Sequence, residues 1–488
     1  MITGHARGNA NAMTTGRRLA GVAGVLAGVL MAAYGHAGTV RYVDDDGLDG
    51  FNCTNAPYTT ISAAVADAKP GDEIRVCPGT YVEQVVVPFD MAIRGEAFGS
   101  RRAVIKPSAM TQTLPTLDGG NPVAAAVLDD GHLLRISDVD IDLSMNTVGA
   151  CSPVLAGIYV RNAWAAVDRI EIYNAVVNGR PDCDSGIGIL VESGVKEIIL
   201  GRPIFGKSRF ISKSVHFENF QKAGLVGIGP NTLIRLEDGD ALRDAQAPAG
   251  AAVPYGFELA KGARGKIINS TATGISSGTA GKLAAGILGL ESGKVTYRRD
   301  LLEDNQVGIM VVGGNARVKR GTFHRHSSDA IILLGDSNLV TAADVDGASV
   351  SGCFVTGDQN VVRGGFFTNA PIGIWFLYGI GNRFYGVTWG NIPLETRGLY
   401  GGLRDVTADD AAPFLTRCTS TLSCDDGNAC TTDLCNATTG ACSHGVTVCD
   451  DTNPCTTDTC NPTTGCVFTP VTDGTVCGVG VCTGGVCL

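Results

Sequence analysis

Val307-Gly308-Ile309-Met310-Val311, Asp329-Ala330-Ile331-Ile332-Leu333, Ser351-Gly352-Cys353-Phe354-Val355 and Ile372-Gly373-Ile374-Trp375-Phe376 are four copies of one short pattern. The small second residue falls at 308, 330, 352 and 373, so the copies recur at steps of 22, 22 and 21. Apolar positions alternate after it, which is the period of a strand and not of a helix. A repeat this short cannot bury its own apolar face and has to stack on its neighbours, which makes a solenoid. Paired strands lie ~4.8 Å apart, so each turn of chain lengthens a narrow stack by that amount. The small residue reads as a turn entering each buried strand. Looser copies begin at Gly157, Gly186, Gly224, Gly256 and Gly286, at steps of 29, 38, 32 and 30. The extra residues, clearest in 200–214 and 237–255, read as insertions, which in solenoids gather in loops on a binding face.

Upstream, residues 58–95 read YTTISAAVADAKPGDEIRVCPGTYVEQVVVPFDMAIRG. Ile61, Ala64, Val65 and Ala68 have helical spacing behind Thr60, a favourable N-cap. Pro70-Gly71-Asp72 marks a turn, after which Ile74 and Val76 alternate with Glu73, Arg75 and Cys77 as a strand does. A short helix here suits a lid on the open end of the stack. This segment and the glycine-entered coils to about residue 390 resemble right-handed parallel β-helix proteins of the pectin-lyase-like fold. The resemblance implies an all-β solenoid with a short N-terminal capping helix. It implies no single activity, because that fold hosts lyases, hydrolases, epimerases, phage tailspikes and non-catalytic adhesins.

The two ends differ from the middle. Arg17 and Arg18 precede an uncharged 16-residue run, residues 19–34, with small residues at 35 and 37. The run is shorter than the ~20 residues of a spanning helix, so residues 1–37 read as an export signal rather than an anchor. Its removal takes three arginines and no acids, changing the net charge from −10 to −13. Of 17 cysteines, twelve crowd into residues 418–488, which hold seven Asp and no Lys or Arg. Such density marks a disulfide module in an oxidising space. Two copies align, CDDGNACTTDLCNATTGAC from Cys424 and CDDTNPCTTDTCNPTTGC from Cys449. They resemble the CTTDxC repeats of slime-mould extracellular-matrix proteins, also seen at the ends of large secreted bacterial proteins. Zinc is the competing reading, although CxxC pairs with histidine are missing. The expected layout is a signal peptide at 1–37, a β-helix at 38–400, a linker at 401–417 and the cysteine-rich module at 418–488. In the solenoid, Cys53 with Cys77 and Cys151 with Cys183 are the candidate bridges, leaving Cys353 as a buried thiol.

A net charge of −10 argues against a dedicated nucleic-acid partner, and no later apolar run is long enough to span a membrane. Candidate chemistry starts at Asp138-Val139-Asp140-Ile141-Asp142. With Val139 and Ile141 in the core, three carboxylates would line an exposed strand face. Residues i and i+2 lie ~6.6–6.8 Å apart, a separation that suits inverting glycoside hydrolysis or a calcium-dependent lyase. Asp168 and Glu171 would arrive about one coil later. The alternative is a solvated strand face, and neither the polygalacturonase-type combination of DD with GHG nor the DPHD of mannuronan epimerases is present. Arg298, Arg299, Lys319, Arg320, His324, Arg325 and His326 form a basic stretch able to hold an acidic polysaccharide, or else to make cross-coil ion pairs. A step of 22 would set Glu303 against Arg325, Asp304 against His326 and Arg298 against Arg320. The late aromatics Trp375, Phe376, Tyr378, Phe384, Tyr385 and Trp389 either stack on sugars or close the core. In the tail, Asp425, Asp426, Asn428 and Asp433 recur as Asp450, Asp451, Asn453 and Asp458. This is an oxygen set suited to calcium, or simply a set of turns. Two functions stay open. One is a secreted or cell-surface protein that binds polysaccharide or matrix in an adhesive or structural role. The other is a polysaccharide lyase or glycoside hydrolase acting on an acidic glycan.

Overall fold

The computed structural model describes residues 38–47, 53–117, 120–199, 202–243, 252–278, 281–398, 428–436, 441–478 and 480–488. The expected signal at 1–37 and linker at 401–417 lie outside these residues. From residue 40 to 398 the chain winds as a right-handed parallel β-helix with three walls. One coil shows the plan: Val307–Val312 lies in sheet 1, Arg317–Lys319 in sheet 2 and Thr322–His326 in sheet 3. Each pairs in parallel with its counterpart one coil on, Ile331–Leu334 in sheet 1 and the two halves of Leu339–Ala348 in sheets 2 and 3. The corner between sheets 2 and 3 is sharp, and one left-handed residue makes it. Arg169, Ser214, Asp238, Asn269, Arg299, Arg320 and Ala342 hold this corner at φ between 49° and 60°, coil after coil. At the corner from sheet 1 to sheet 2, buried asparagines do the work. Asn338, Asn360 and Asn382 each accept a backbone N–H from the preceding coil at 2.8–3.0 Å. Each bond satisfies a buried donor that has no ladder partner at a turn.

The helix α1 (Ile61–Asp67) lids the amino end, buries Ile61, Ala64 and Val65, and is capped by the Thr60 hydroxyl on the Ala63 amide. Ile74 and Val76 are fully buried beneath it.

The repeat's glycine has a different cause from the turn expected of it. Gly308 is the second residue of a strand, not a turn residue before one. A Cβ there would lie 2.7 Å from the Phe323 ring, and at Gly352 it would lie 2.5 Å from Phe367. At Gly373 the clash would be with Trp389 at 2.4 Å. Rings from sheet 3 cross the core and rest on the sheet-1 backbone, which leaves no room for a side chain. The same column runs through Gly157, Gly188, Gly224, Gly256 and Gly286, so the second coil is entered at Gly188 and not at Gly186. The late aromatics divide accordingly. Phe376 meets Phe384 at 5.9 Å and Trp389 meets Phe367 at 5.7 Å inside the core, while Tyr378 is 63% exposed.

Cys53 is bridged to Cys77 across a separation of 24, and Cys151 to Cys183 across 32. Cys353 is free and buried. The first bridge clamps the entering segment onto the first coil. In the chain-entropy description a loop of this length is worth about 3 kcal/mol. A Cys53→Ser, Cys77→Ser protein is therefore expected to unfold at lower denaturant by about that free energy. An unchanged midpoint would show that the entering segment is held without the clamp.

The tail is built from hairpins, Thr431–Asn436 with Ala441–Val446 and Thr456–Asn461 with Gly465–Pro470, followed by a small sheet from Val476. Its described bridges are Cys430–Cys460, Cys449–Cys466, Cys455–Cys482 and Cys477–Cys487.

Candidate functional site

Val139 and Ile141 are buried, which aims Asp138, Asp140 and Asp142 outward along the first strands of sheet 3 and its corner. The three carboxylates are not an open row, however. Asp140 and Asp142 are each 6% exposed because cations lie over them. Arg102 forks onto Asp140 at 2.7 and 2.8 Å, Lys106 meets Asp142 at 2.7 Å, and Arg169 forks onto Asp138 at 2.7 and 2.9 Å. Asp168 pairs with the same Arg169. The Arg169 hydrogen bonds hold Asp138 below the usual carboxylate range. Burial pushes Asp142 up, but Lys106, Asn174 and Ser144 outweigh it and hold the group low as well. A general acid needs the opposite environment, so Asp138 and Asp142 supply anchored charge rather than a proton.

Further along the same wall Glu171 joins a cluster whose other members, His216 and Asp240, carry no local signal in the sequence. His216 stacks between Glu171 and Asp240 on adjacent coils and binds Asp240 at 2.9 Å. That bond raises the histidine above its ordinary value.

The basic stretch does not converge on one place. In sheets 2 and 3 this coil steps by 21, not 22: Arg298 pairs with Lys319 and Glu303 with His324. In sheet 1 the step is 22. The chain between Val312 and Arg317 is one residue shorter than in the coil before, and the residue returns before Asp329. Asp304 therefore meets Arg325 rather than His326, and Arg325 is committed to Asp304 and Glu303 at 2.8 and 2.6 Å. His326 is 2% exposed beneath Phe323, and burial pushes it down to about 4. It cannot touch a ligand.

Arg298, Arg299, Lys319 and Arg320 do share a face, and the register adds more cations to it. Over the six successive sheet-2 strands from Arg264 to Tyr385, outward positions carry Arg264, Lys266, Arg298, Arg317, Lys319, Arg363 and Arg383 and no carboxylate. None of these seven forms an ion pair among the described residues. Six of them are exposed, and Lys319 is half-buried. The signal for them in the sequence was column membership, which needs the register.

The long insertions flank a different wall. Loops 144–153 and 176–186 join sheet 3 to sheet 1, the connections from Leu242 to Tyr255 and from Thr273 to Ala285 run between the same two sheets, and the hairpin Val195–Ile199 with Arg202–Phe205 leaves the opposite edge of sheet 1. The stretch 200–214 thus divides into hairpin and the long strand Ser208–Phe220, so only its first part is insertion. On this wall Lys222 bridges Asp184 at 2.8 Å and Glu258 at 3.8 Å above the Tyr255 ring. Burial raises Glu258, and Lys222 only partly opposes it.

In the tail, Asp425, Asp426 and the side chain of Asp433 lie outside what is described. Asp450, Asp451, Asn453 and Asn428 spend side-chain oxygens on backbone N–H groups two residues on, and Asp458 takes the Asp451 amide. Among the described residues these carboxylates do not gather into a three-ligand cluster.

Residues 423–444 and 448–471 match the family model described as the Dictyostelium (slime mold) repeat. No curated protein matches the chain. Among solved structures, a lacto-N-biosidase from Eubacterium ramulus aligns at 13% identity and a TM-score of 0.41, over 74% of this chain and 68% of that one. Tailspike protein 3 of bacteriophage CBA120 aligns at 12% and 0.42, over 83% and 67%. A periplasmic alginate epimerase aligns at 11% and 0.37, over 74% and 84%. The parallel β-helix itself stands on the strand register described above.

Proposed function

We propose that the chain is a secreted or surface-displayed glycan-binding protein whose sheet-2 face holds an acidic polysaccharide, with an adhesive or matrix role. The carrying observation is the ladder of seven cations without a carboxylate, on a chain of net charge −10. Like charges on directly opposed strand positions cost stability. Arg298 above Lys319 bears that cost with only the buried Asp300 carboxyl nearby to offset it, and an anionic polymer lying along the stack relieves it. The cations are spread along the stack with a coil step of ~4.8 Å, interrupted at Leu339–Thr341, so an extended polyanion lying along this face would meet several of them. The disulfides and the export signal favour an oxidising compartment, where such polymers occur. No helix among the described residues is long and apolar enough to cross a membrane.

A triple Arg298→Ala, Arg317→Ala, Lys319→Ala protein tests this reading. Exposed ion pairs are worth about 0.2–1 kcal/mol each, so the loss in polyuronate affinity is expected to be roughly tenfold, with an unchanged melting temperature. Equal affinity would remove this face from the function. A second reading, glycan cleavage, is favoured by Glu258, whose raised protonation beside Lys222 and Asp184 is what a general acid needs. Following new reducing ends and unsaturated-uronate absorbance in the same incubations separates the two.

A further inference from the structure

We propose that Asp44, Asp45 and Asp46, at the entrance to the first coil, form a calcium site. Carboxylate oxygens from the three lie within 4.8 Å of one another. Asp44 is 3% exposed, and its Oδ2 is buried and accepts no hydrogen bond. A buried carboxylate oxygen without a partner is costly. No Lys or Arg among the described residues ion-pairs with Asp44 or Asp45. Arg41, on the preceding strand, is committed to Asp67 and Asp72. A hard cation answers both deficits, because it would fill the unused oxygen and neutralise the crowded carboxylates of Asp44 and Asp45.

The site is held rigid before any ion arrives. The Thr80 amide donates to Asp45 Oδ2 at 2.9 Å, which fixes that carboxylate against the next coil. A Cβ at Gly79 would fall 2.1 Å from Asp45 Oδ1, so glycine there leaves the room the carboxylate occupies. The Asp46 amide donates to Asp44 Oδ1 at 3.3 Å and folds the turn around the cluster. Asp45 and Asp46 are exposed, leaving an open side for water ligands. An all-oxygen, irregular and partly hydrated set suits calcium, which accepts 6–8 oxygens, better than magnesium, which demands an octahedron. Placed beside the Cys53–Cys77 bridge, the ion would fasten the entering strand to the first coil. It is a site separate from the tail aspartates.

The experiment is calorimetry on the full-length, disulfide-intact protein in calcium, in magnesium and in chelator. Calcium is expected to raise the melting temperature saturably, with a dissociation constant of about 10⁻⁴–10⁻³ M, the range of extracellular modules. Magnesium should do much less. Asp46→Asn, an exposed change that leaves the core alone, is expected to weaken calcium binding about tenfold or more. Asp44→Asn keeps the shape and should abolish the response. Asp450→Asn, Asp451→Asn should leave it intact. A wild-type protein indifferent to calcium overturns the proposal. So does a response that survives in the Asp46 variant and vanishes in the tail variant.

Discussion

Cutting Phe217 back to alanine is expected to lower the free energy of unfolding by about 3–5 kcal/mol, the range for a large buried ring. Phe217 is fully buried and lies edge-on to Phe257 at 6.4 Å. Its ring rests on two glycines of sheet 1: a Cβ at Gly188 would lie 2.4 Å from it and one at Gly224 2.9 Å. That contact makes a second, sharper expectation. Gly188→Ala in the wild-type protein forces the ring or the sheet to move and should cost about 1–3 kcal/mol. In the Phe217→Ala background the ring clash is gone while the Gly224 carbonyl oxygen still lies 2.5 Å from that Cβ, so the cost should fall by the ring's share and not to zero. Coupling of about 1 kcal/mol or more between the two sites, read from denaturant midpoints, is the signature of a column kept empty for rings. Additive losses would mean that glycine serves the strand backbone instead.

The second large effect is a pH dependence. Asp300 is 3% exposed behind the sheet 2–3 corner, with Oδ1 accepting the Ser270 amide at 3.0 Å. Burial raises it to about 7, and its backbone hydrogen bonds only partly oppose this. The folded value lies above the unfolded one. Its contribution is therefore complete below the ordinary carboxylate value near 3.8 and is lost as pH rises through about 7. The loss is about 4 kcal/mol for a shift of this size. His326 works the other way. Its value is depressed to about 4, so its contribution is present above the ordinary histidine value and is lost as pH falls through about 4. The two slopes oppose each other at mildly acid pH, and the wild-type profile alone hides both. Asp300→Asn removes one. Relative to wild type, this variant is expected to gain about 4 kcal/mol between pH 4 and pH 8 in urea unfolding. A constant difference across that range would mean Asp300 is not buried as an acid.

Much of this architecture can be read directly from the chain. The copies at 308, 330, 352 and 373 define strands because alternation and a fixed step are local properties. The capping helix is equally local, since Thr60 and the apolar spacing behind it suffice. What the chain hides is register. One residue fewer between Val312 and Arg317 moves Asp304 from His326 to Arg325 and puts His326 in the core. No propensity marks that loop. The carboxylates of Asp140 and Asp142 were visible, but Arg102 and Lys106, which cover them, sit 38 and 36 residues earlier and come over them only when the coils stack. The cation ladder is spread over 120 residues and becomes one face through the same stacking. The glycine column shows the reverse case, with the residue plain in the sequence and its causes, a side chain from another wall and the carbonyl of the next coil, out of sight.

The most direct test of the glycan-binding face is the salt dependence of polyuronate affinity. Each cation that meets a carboxylate releases condensed counterions, so the logarithm of affinity should fall linearly with the logarithm of salt, by a slope that counts contacts. The wild-type protein is expected to show a steep slope. In the Arg298→Ala, Arg317→Ala, Lys319→Ala protein that slope should fall by about two to three, with the melting temperature unchanged. A slope that is identical in the two proteins would contradict the assignment of this face.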